Sequence, residues 1–396
     1  MFETFDYLTL QQYWWVLVAI LGSSLVFMFF VMWGQSLFRQ LWDTEEEKDL
    51  VLNAFWKHYK LTFSVFVTFG WAVFASFPIF YATSFGWAYF VWMAILFLMI
   101  VQAVAYHYRK KEGNFLGQKT YEIFLWLNWF LVPLLIWVAV ATFFTGSNFL
   151  IETGNMVNYA GTNIHITYWT NWFYGLEALW NMNQWAFLTN ISLGLAVTFL
   201  VRILAILYVI NHISDKNILS KTKKCLWINT VIFLVFFLTF VGKLLFMTGL
   251  TYSGTWFDKA LTIIQEPYKY LHNLLENGIV FGMFIGWVFA VLVWIGLGFV
   301  KSKKAFWLAW AGTFSVVFAV FMLAGLFNTP FYPTLQGDLT SSLTIENASA
   351  SHYTLIVMSY VSLIIPFVLA YIIWAWSVIA WKAMTKKTMK DELETY

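Results

Sequence analysis

Histidine is the side chain in this sequence best suited to proton exchange, because its ordinary pKa lies near neutral pH. Three histidines, His58, His107 and His212, fall at the ends of predicted helices on one side of a membrane. A haem b site in a helical bundle would need histidines on facing helices at one depth. The spacing permits haem ligation, although any histidine at a membrane interface would lie there too. We expect the others to be solvated, namely His165, His272 and His352.

Two basic residues lie inside apolar runs and are expected to be structural charges. Arg202 stands in TFLVRILAILYVI, where a charge near the bilayer centre costs at least about 2.5–3.5 kcal/mol. It must snorkel or pair, and the alternative is a role beside a proton or redox site. Lys243 stands in TFVGKLLFM near a helix end, and its long stem can carry the ammonium group to the interface.

A charged cluster precedes the second apolar run. Lys57, His58 and Lys60 follow the stretch EEEKD at 45–49. We expect a solvated, charge-balanced loop here. The alternative is a funnel for proton entry, although lysines at its mouth would repel protons. Glu122 begins a helix, where the helix dipole favours a carboxylate, and it needs no functional explanation.

The composition excludes a water-soluble protein. Of the 396 residues, 61% are hydrophobic and 11% are charged, whereas soluble proteins are about 25% charged. The sequence has no Walker loop, dinucleotide fingerprint, HExxH or nucleophile elbow. The single cysteine, Cys225, excludes an internal disulfide and a cysteine metal cluster. We expect no metal site and no nucleic-acid partner.

Apolar runs of about 20 residues recur, and each can cross a bilayer core of roughly 30 Å. Because the backbone in lipid must satisfy its hydrogen bonds within the segment, we predict an all-α polytopic membrane protein. The chain 1–396 is expected to form one membrane domain with two four-helix bundles, about 14–145 and 186–327, and a peripheral helix, about 354–382. Nine spanning helices are predicted, at 14–38, 61–83, 87–108, 122–145, 186–210, 225–249, 278–300, 306–327 and 354–382.

The basic residues predict the orientation. The 23 lysines and arginines lie in the first, third, fifth and seventh connections or in the tail, except for Arg202, Lys243, Lys259 and Lys269. Basic loops stay in the cytoplasm, so the N-terminus is expected outside, in the periplasm, and the C-terminus in the cytoplasm. In the outer loop 250–277, the second part of TWFDKALTIIQEPYKYLHNLLEN suggests an interfacial amphipathic helix.

Four blocks near the two ends of the chain carry a family resemblance. They are YWWVLVAILGSSLVFMFFVMWG, EEEKDLVLNAFW, FASFPIFYATSFGWAYFVWMAILFLMIVQAVAYHYRKK and SLTIENASASHYTLIVMSYVSLIIPFVLAYIIWAWSVI. In this order they resemble subunit II of the cytochrome bd-type quinol oxidases, and the chain is similar to a divergent member. Between the blocks, the chain matches that family mainly by the number and spacing of its helices.

The resemblance implies a subunit of an enzyme complex in the bacterial cytoplasmic (inner) membrane. Subunit II would be a haem-free scaffold partner that packs against subunit I. The partner would carry haem b and haem d, or only b-type haem, and the catalytic centre. The complex would oxidise quinol and reduce O2 to water, taking protons from the cytoplasm. A small single-helix accessory subunit is compatible with this assembly.

The sequence departs from the family at its acidic positions. The aspartates that the family has after its first helix are replaced in 33–36, WGQS, and the aspartate entering its second helix is replaced in 59–62, YKLT. The family's arginine, proline and glutamate of the third helix correspond to Gln102, Ala103 and His107. The acids of a subunit II proton path are therefore missing. The remaining proton-path candidates are His58, Lys60 and His107.

Two other functions remain open. Polytopic helical chains are often transporters or channels, but those usually have Gly- or Pro-broken helices with polar surroundings at mid-membrane. Here Pro133 and Pro366 stand in apolar settings. A haem b protein in its own right is the third hypothesis. The abundant aromatic residues are expected to anchor and pack the helices, with a cofactor or quinone pocket as the alternative.

Overall fold

A computed structural model of the protein describes residues 2–87, 89–111, 113–151, 167–169, 184–254, 261–335, 339–380 and 384–386. Within these ranges, eight helices are long and apolar enough to cross a membrane. A ninth span arises if one bent pair of helices near the C-terminus is counted as one. The prediction of an all-α polytopic protein with about nine spans is confirmed.

The helices are named in chain order. They are α1 (Tyr7–Trp33), α2 (Glu45–Ser76), α3 (Tyr89–Tyr108), α4 (Gln118–Thr145), α5 (Gln184–His212), α6 (Lys216–Phe246), α7 (Lys269–Glu276), α8 (Gly278–Phe299), α9 (Lys304–Gly325), α10 (Ile345–Ala348), α11 (His352–Ser362) and α12 (Ile365–Ala380). Shorter helical turns occupy Phe2–Thr4, Gly34–Leu37, Phe38–Leu41, Pro78–Tyr81, Ala82–Trp87 and Leu339–Ser341.

Two helices begin earlier than predicted. Thr44 caps α2 in a capping box with Glu47, so α2 starts at Glu45 and not near 61. Asp215 caps α6 by accepting from two backbone amides, so α6 starts at Lys216 and not near 225. Polar residues do not break a helix when its first amides are satisfied by a cap. Consequently His58 and Lys60 lie within α2, and the prediction of a loop there was wrong.

The last span is bent. The chain turns by 41° between α11 and α12, whereas the sequence analysis predicted one continuous helix over 354–382. Pro366 follows the break, and its ring removes a backbone donor and clashes with the preceding turn. The bend therefore has a local cause in the sequence.

The end of the bundle opposite the basic connections carries two antiparallel hairpins. One pairs β1 (Phe149–Ile151) with β2 (Thr167–Trp169), and the other pairs β3 (Gly249–Ser253) with β4 (Thr262–Glu266). The amphipathic helix predicted in the outer loop 250–277 is confirmed as α7, which buries Tyr270 and Leu274. The Tyr252 hydroxyl of β3 donates to the Glu346 carboxylate of α10 at 3.2 Å. Burial is the main cause that raises the pKa of Glu346.

Helices α1 and α5 are the most buried spans among the described residues. Helix α1 packs against α2, α5 and α9, while α5 packs against α4 and α6. Small residues let helix backbones approach closely in membranes, and Gly34 at the end of α1 serves this purpose. A Cβ atom placed there would lie 2.6 Å from Ala205 Cβ of α5 and 2.8 Å from the Phe55 ring of α2.

We predict that Gly34→Ala destabilises the protein by about 1–3 kcal/mol, since overpacking forces neighbouring backbone to move. Gly70→Ala in α2 is the matched control, because nothing lies within 4 Å of the added Cβ. The thermal midpoint of each variant in detergent, followed by tryptophan fluorescence, measures the effect. Equal midpoints for the Gly34 and Gly70 variants would show that the close approach is unimportant.

Candidate functional site

The charged residues at the basic end of the bundle, where the Lys- and Arg-rich connections lie, form an ion cluster. Arg109, just beyond α3, donates to Asp49 of α2 at 2.7 Å and to Glu122 of α4 at 3.2 Å. Lys48 pairs with Glu122 at 2.8 Å and with Glu45 at 2.6 Å. Lys110 also contacts Asp49. The ion cluster therefore joins three helices through six side chains: Glu45, Lys48, Asp49, Arg109, Lys110 and Glu122.

Much of this charge is buried. Lys48, Asp49 and Arg109 are almost fully covered, which contradicts the expectation of a solvated loop over EEEKD. Glu47 is buried as well, and it accepts from Asn217 of α6 and from Lys386 of the C-terminal segment. Buried ions are tolerated only when paired and hydrogen-bonded. The end of the bundle is consequently held by ionic contacts among helices distant in sequence.

A polar line continues from the ion cluster into the bundle along α3. Gln102, Tyr106 and Arg109 follow at spacings of four and three, which places them on one helix face. Gln102 donates to the Met32 carbonyl of α1. The Tyr106 hydroxyl and the Gln102 carbonyl oxygen are buried and have no hydrogen-bond partner among the described residues.

Two further amides behave in the same way. Gln35 donates to the Leu125 carbonyl at 3.3 Å, and Asn128 donates to the Phe124 carbonyl at 3.3 Å. The carbonyl oxygens of both side chains are buried and unpartnered in the described part of the chain. Such groups suit bound water molecules. Gln35 ties the end of α1 to α4, whereas Asn128 bonds within α4. An amide does not gain or lose a proton near neutral pH.

The three predicted proton-path residues do not meet. His58 is fully buried, and its ring stacks on Trp376 of α12 with centroids 4.0 Å apart. Its nearest histidine is His212 of α5, at 6.2 Å between ring centroids. His107 contacts Lys111 at 2.9 Å near the surface, and Lys60 is exposed. Sequence spacing placed His58, His107 and His212 at one depth, whereas the helix packing pairs only two of them.

The remaining histidines lie at the opposite end. His272 contacts Glu266 at 3.0 Å, and His352 contacts the Phe5 carbonyl at 3.2 Å. Both side chains are exposed to a large degree, as expected. His165 lies outside the described residues.

The His58 and His212 pair does not fit haem. A haem held by two histidines needs its flat macrocycle between two facing imidazoles. Here the indole of Trp376 lies on the His58 ring, and Tyr208 stacks on His212 at 5.2 Å. Neither histidine lines the apolar cavity described below. Among the described residues there is also no group of three His, Cys, Asp or Glu suited to a metal ion.

The two intramembrane charges find partners inside the protein. Arg202 is buried and donates to Asn229 at 2.8 Å, to Gln40 at 2.6 Å and to Ser36. Lys243 places its ammonium group 3.2 Å from the ring centroid of Trp185. The structure is therefore consistent with structural pairing for both residues. The hydrogen-bond acceptors of Arg202 are all neutral side chains.

One apolar cavity of about 180 Å³ lies among α1, α2, α3, α4 and α9. Aromatic rings form most of its wall, including Trp15, Phe29, Phe77 and Phe331. Because its lining is almost entirely apolar, it suits a hydrocarbon chain. It does not offer the paired polar groups that would orient a quinone headgroup.

Sequence reasoning missed the residues that organise this end of the bundle. Glu122 was set aside as a helix-dipole residue, and Asp49 was treated as part of a solvated loop. The spacing of Gln102, Tyr106 and Arg109 in the sequence was an available signal for one polar face. The partners of Arg109 could not be chosen from sequence, because α2 and α4 approach it only in the folded protein.

We compared the chain with known proteins. The family model described as cytochrome bd terminal oxidase subunit II matches residues 10–379. Cytochrome bd-I ubiquinol oxidase subunit 2 of Escherichia coli K12 is 24% identical over 399 residues, which covers 98% of this chain and 97% of that protein. A probable cytochrome oxidase subunit 2 of Haemophilus influenzae is 29% identical over 159 residues, covering 40% of this chain and 42% of that protein.

A solved structure has a similar fold. A chain of the bd oxidase from Geobacillus thermodenitrificans matches with a TM-score of 0.50 and 14% sequence identity. The match covers 92% of this chain and 97% of the other. At this identity, the likeness concerns the fold alone.

We predict that Arg109→Gln destabilises the protein by roughly 3–5 kcal/mol, because it leaves buried carboxylates short of a partner. The double variant Asp49→Asn/Arg109→Gln is expected to recover part of that loss. Lys119→Gln, at an exposed position of the first turn of α4, is the control. Thermal midpoints of the parent, the two single variants Arg109→Gln and Asp49→Asn, the double variant and the control provide the comparison. A double variant less stable than the sum of its single changes would contradict the assigned pairing.

Proposed function

This chain belongs to the family of cytochrome bd terminal oxidase subunit II, and on that premise we infer that it is subunit II of a bd-type quinol oxidase. The observation that carries the inference is the family match over residues 10–379. The relative from Escherichia coli, aligned over nearly the full length of both chains, supports it. The spans agree with a multi-pass protein of the bacterial inner membrane.

The oxidase is a complex in which this chain accompanies subunit I, and the family implies haem for the complex. We propose that subunit I holds the haems and the catalytic centre, where electrons from quinol reduce O2 to water. The stacking of Trp376 on His58 at 4.0 Å supports a haem-free role for this chain. The contact of His107 with Lys111 points the same way. A small single-helix subunit is a further component compatible with this assembly.

The basic end of the bundle is proposed to face the cytoplasm, and the N-terminus the periplasm. The distribution of lysine and arginine supports this orientation. The ion cluster would then lie at the cytoplasmic interface, where proton uptake for O2 reduction begins.

We propose that this chain acts as a scaffold and does not conduct the catalytic protons. The polar line inside the bundle consists of amides and the Tyr106 hydroxyl, with no carboxylate beyond the ion cluster among the described residues of that line. His58, Lys60 and His107 are the remaining candidates for a path. Their separation in the fold favours the scaffold role.

An affinity tag on this chain tests the proposed complex. We predict that it purifies in mild detergent with a haem-bearing membrane subunit and that the preparation consumes O2 with a quinol as electron donor. His58→Ala is expected to leave the ratio of haem to protein unchanged, because Trp376 already stacks on that ring. Purification of the chain alone would contradict the complex. A fall in haem content with intact assembly would contradict the haem-free role.

We further predict that Lys60→Ala and His107→Ala each leave quinol-dependent O2 consumption within about twofold of the parent complex, equivalent to about 0.4 kcal/mol in activation free energy. The physical reason is that Lys60 is exposed and that His107 contacts Lys111 near the surface. Lys303→Ala, an exposed change at the same end, serves as the control. A tenfold fall for either variant in a fully assembled complex would assign it to a proton path.

A further inference from the structure

Arg202 carries a buried charge that no carboxylate neutralises in the described part of the chain. Its guanidinium group donates to the side chains of Asn229, Gln40 and Ser36, all of which are neutral. The ring of Trp129 lies under it, with the guanidinium carbon 4.2 Å from the ring centroid. Hydrogen bonds of this kind satisfy the donors, but they leave a positive potential at the surface above them.

A second arginine stands beside this charge. Arg39 precedes Gln40 in the chain, is exposed, and stacks over Trp126 at 4.6 Å. Trp126 and Trp129 are three positions apart on α4 and so lie on neighbouring parts of one face. The ring of each tryptophan thus contacts the guanidinium group of one arginine. Arg39 has no ion-pair partner among the described residues.

The surrounding charges leave this surface positive. Lys221 and Lys224 of α6 act electrostatically on Cys225, as does Arg202. The nearby carboxylate, Asp43, is already engaged by Lys221 at 2.5 Å and by Asn217 at 2.8 Å. Those hydrogen bonds, that from Lys221 first, lower the pKa of Asp43. Asp43 is therefore already paired and forms no ion pair with Arg39 or Arg202 among the described residues.

An apolar track leads away from the two arginines along α4. Ile123, Leu127 and Leu131 repeat every four residues and are exposed, so they form a stripe along one helix face. Trp126 is exposed beside them. The indole N–H of Trp129 is buried and finds no acceptor within the described residues. An anionic head with an attached hydrocarbon chain would match the exposed Arg39 and the exposed apolar stripe.

We propose that this surface is a binding site for an anionic phospholipid in the leaflet at the basic end. The phosphate would accept hydrogen bonds from Arg39, with the charge of Arg202 behind it, while an acyl chain would follow Leu127 and Leu131. Basic pockets between spanning helices bind anionic headgroups in this way. We commit to a lipid as the source of the phosphate because the apolar track adjoins the arginines. The proposal is independent of the oxidase activity.

Native mass spectrometry of the purified complex tests the site, with palmitoyl-oleoyl phosphatidylglycerol as the probe and the zwitterionic phosphatidylcholine of the same chains as its comparison. We expect Arg39→Gln to weaken phosphatidylglycerol binding about fivefold, since one basic residue near a membrane surface contributes roughly 1 kcal/mol. Lys304→Gln, an exposed basic position at the same end, is expected to bind like the parent. Because Arg39 is exposed, its replacement should not prevent folding.

Two results would overturn the proposal. One is equal retention of phosphatidylglycerol by the Arg39→Gln and Lys304→Gln complexes. The other is displacement of the bound phosphatidylglycerol by inorganic phosphate at millimolar concentration, which would indicate a site for the free anion. The Leu127→Asn variant tests the apolar track separately. We expect it to weaken the binding of phosphatidylglycerol and of phosphatidylcholine to a similar degree.

Discussion

The close contact of α1 with α5 is the interaction on which the rest of the bundle depends. Gly34 lets the two helices approach until Ala205 would touch an added Cβ atom. Arg202 lies one turn before Ala205 on α5, and at this separation it reaches Ser36 and Gln40. Lipid offers no hydrogen-bond partners to a buried guanidinium group. The contact between α1 and α5 therefore provides both the close packing of small residues and the hydrogen-bond partners of Arg202.

A second feature concerns the segments 33–36 and 102–107, where the sequence departs from the family resemblance. Gln35 and Gln102 stand in these segments, and each donates to a backbone carbonyl of a neighbouring helix. An amide keeps a hydrogen-bonding role but holds no titratable proton. These two hydrogen bonds link α1, α3 and α4 without a charged group. Neutral links of this kind suit the proposed scaffold role, in which the chain would hold its shape against a partner subunit.

Much of the fold followed from the apolar runs and from the resemblance at the two ends of the chain. The boundaries did not, since hydropathy alone ends a helix where charge begins. Thr44 and Asp215 instead cap helices whose first turns are polar and partly exposed. The site was predicted less well. His58 is at the basic end as expected, but its partners, Trp376 and His212, come from helices far along the chain.

The sequence by itself determined the number of spans, the concentration of basic residues at one end and the family. These depend on composition, hydrophobic length and order, which are local properties. Only the tertiary structure decided which charges are buried and with whom they pair. Arg109 between Asp49 and Glu122, and Arg202 among neutral side chains, owe their surroundings to helices brought together from distant positions. Pairing in a bilayer is a property of the packed interior, where solvent cannot substitute for a missing partner.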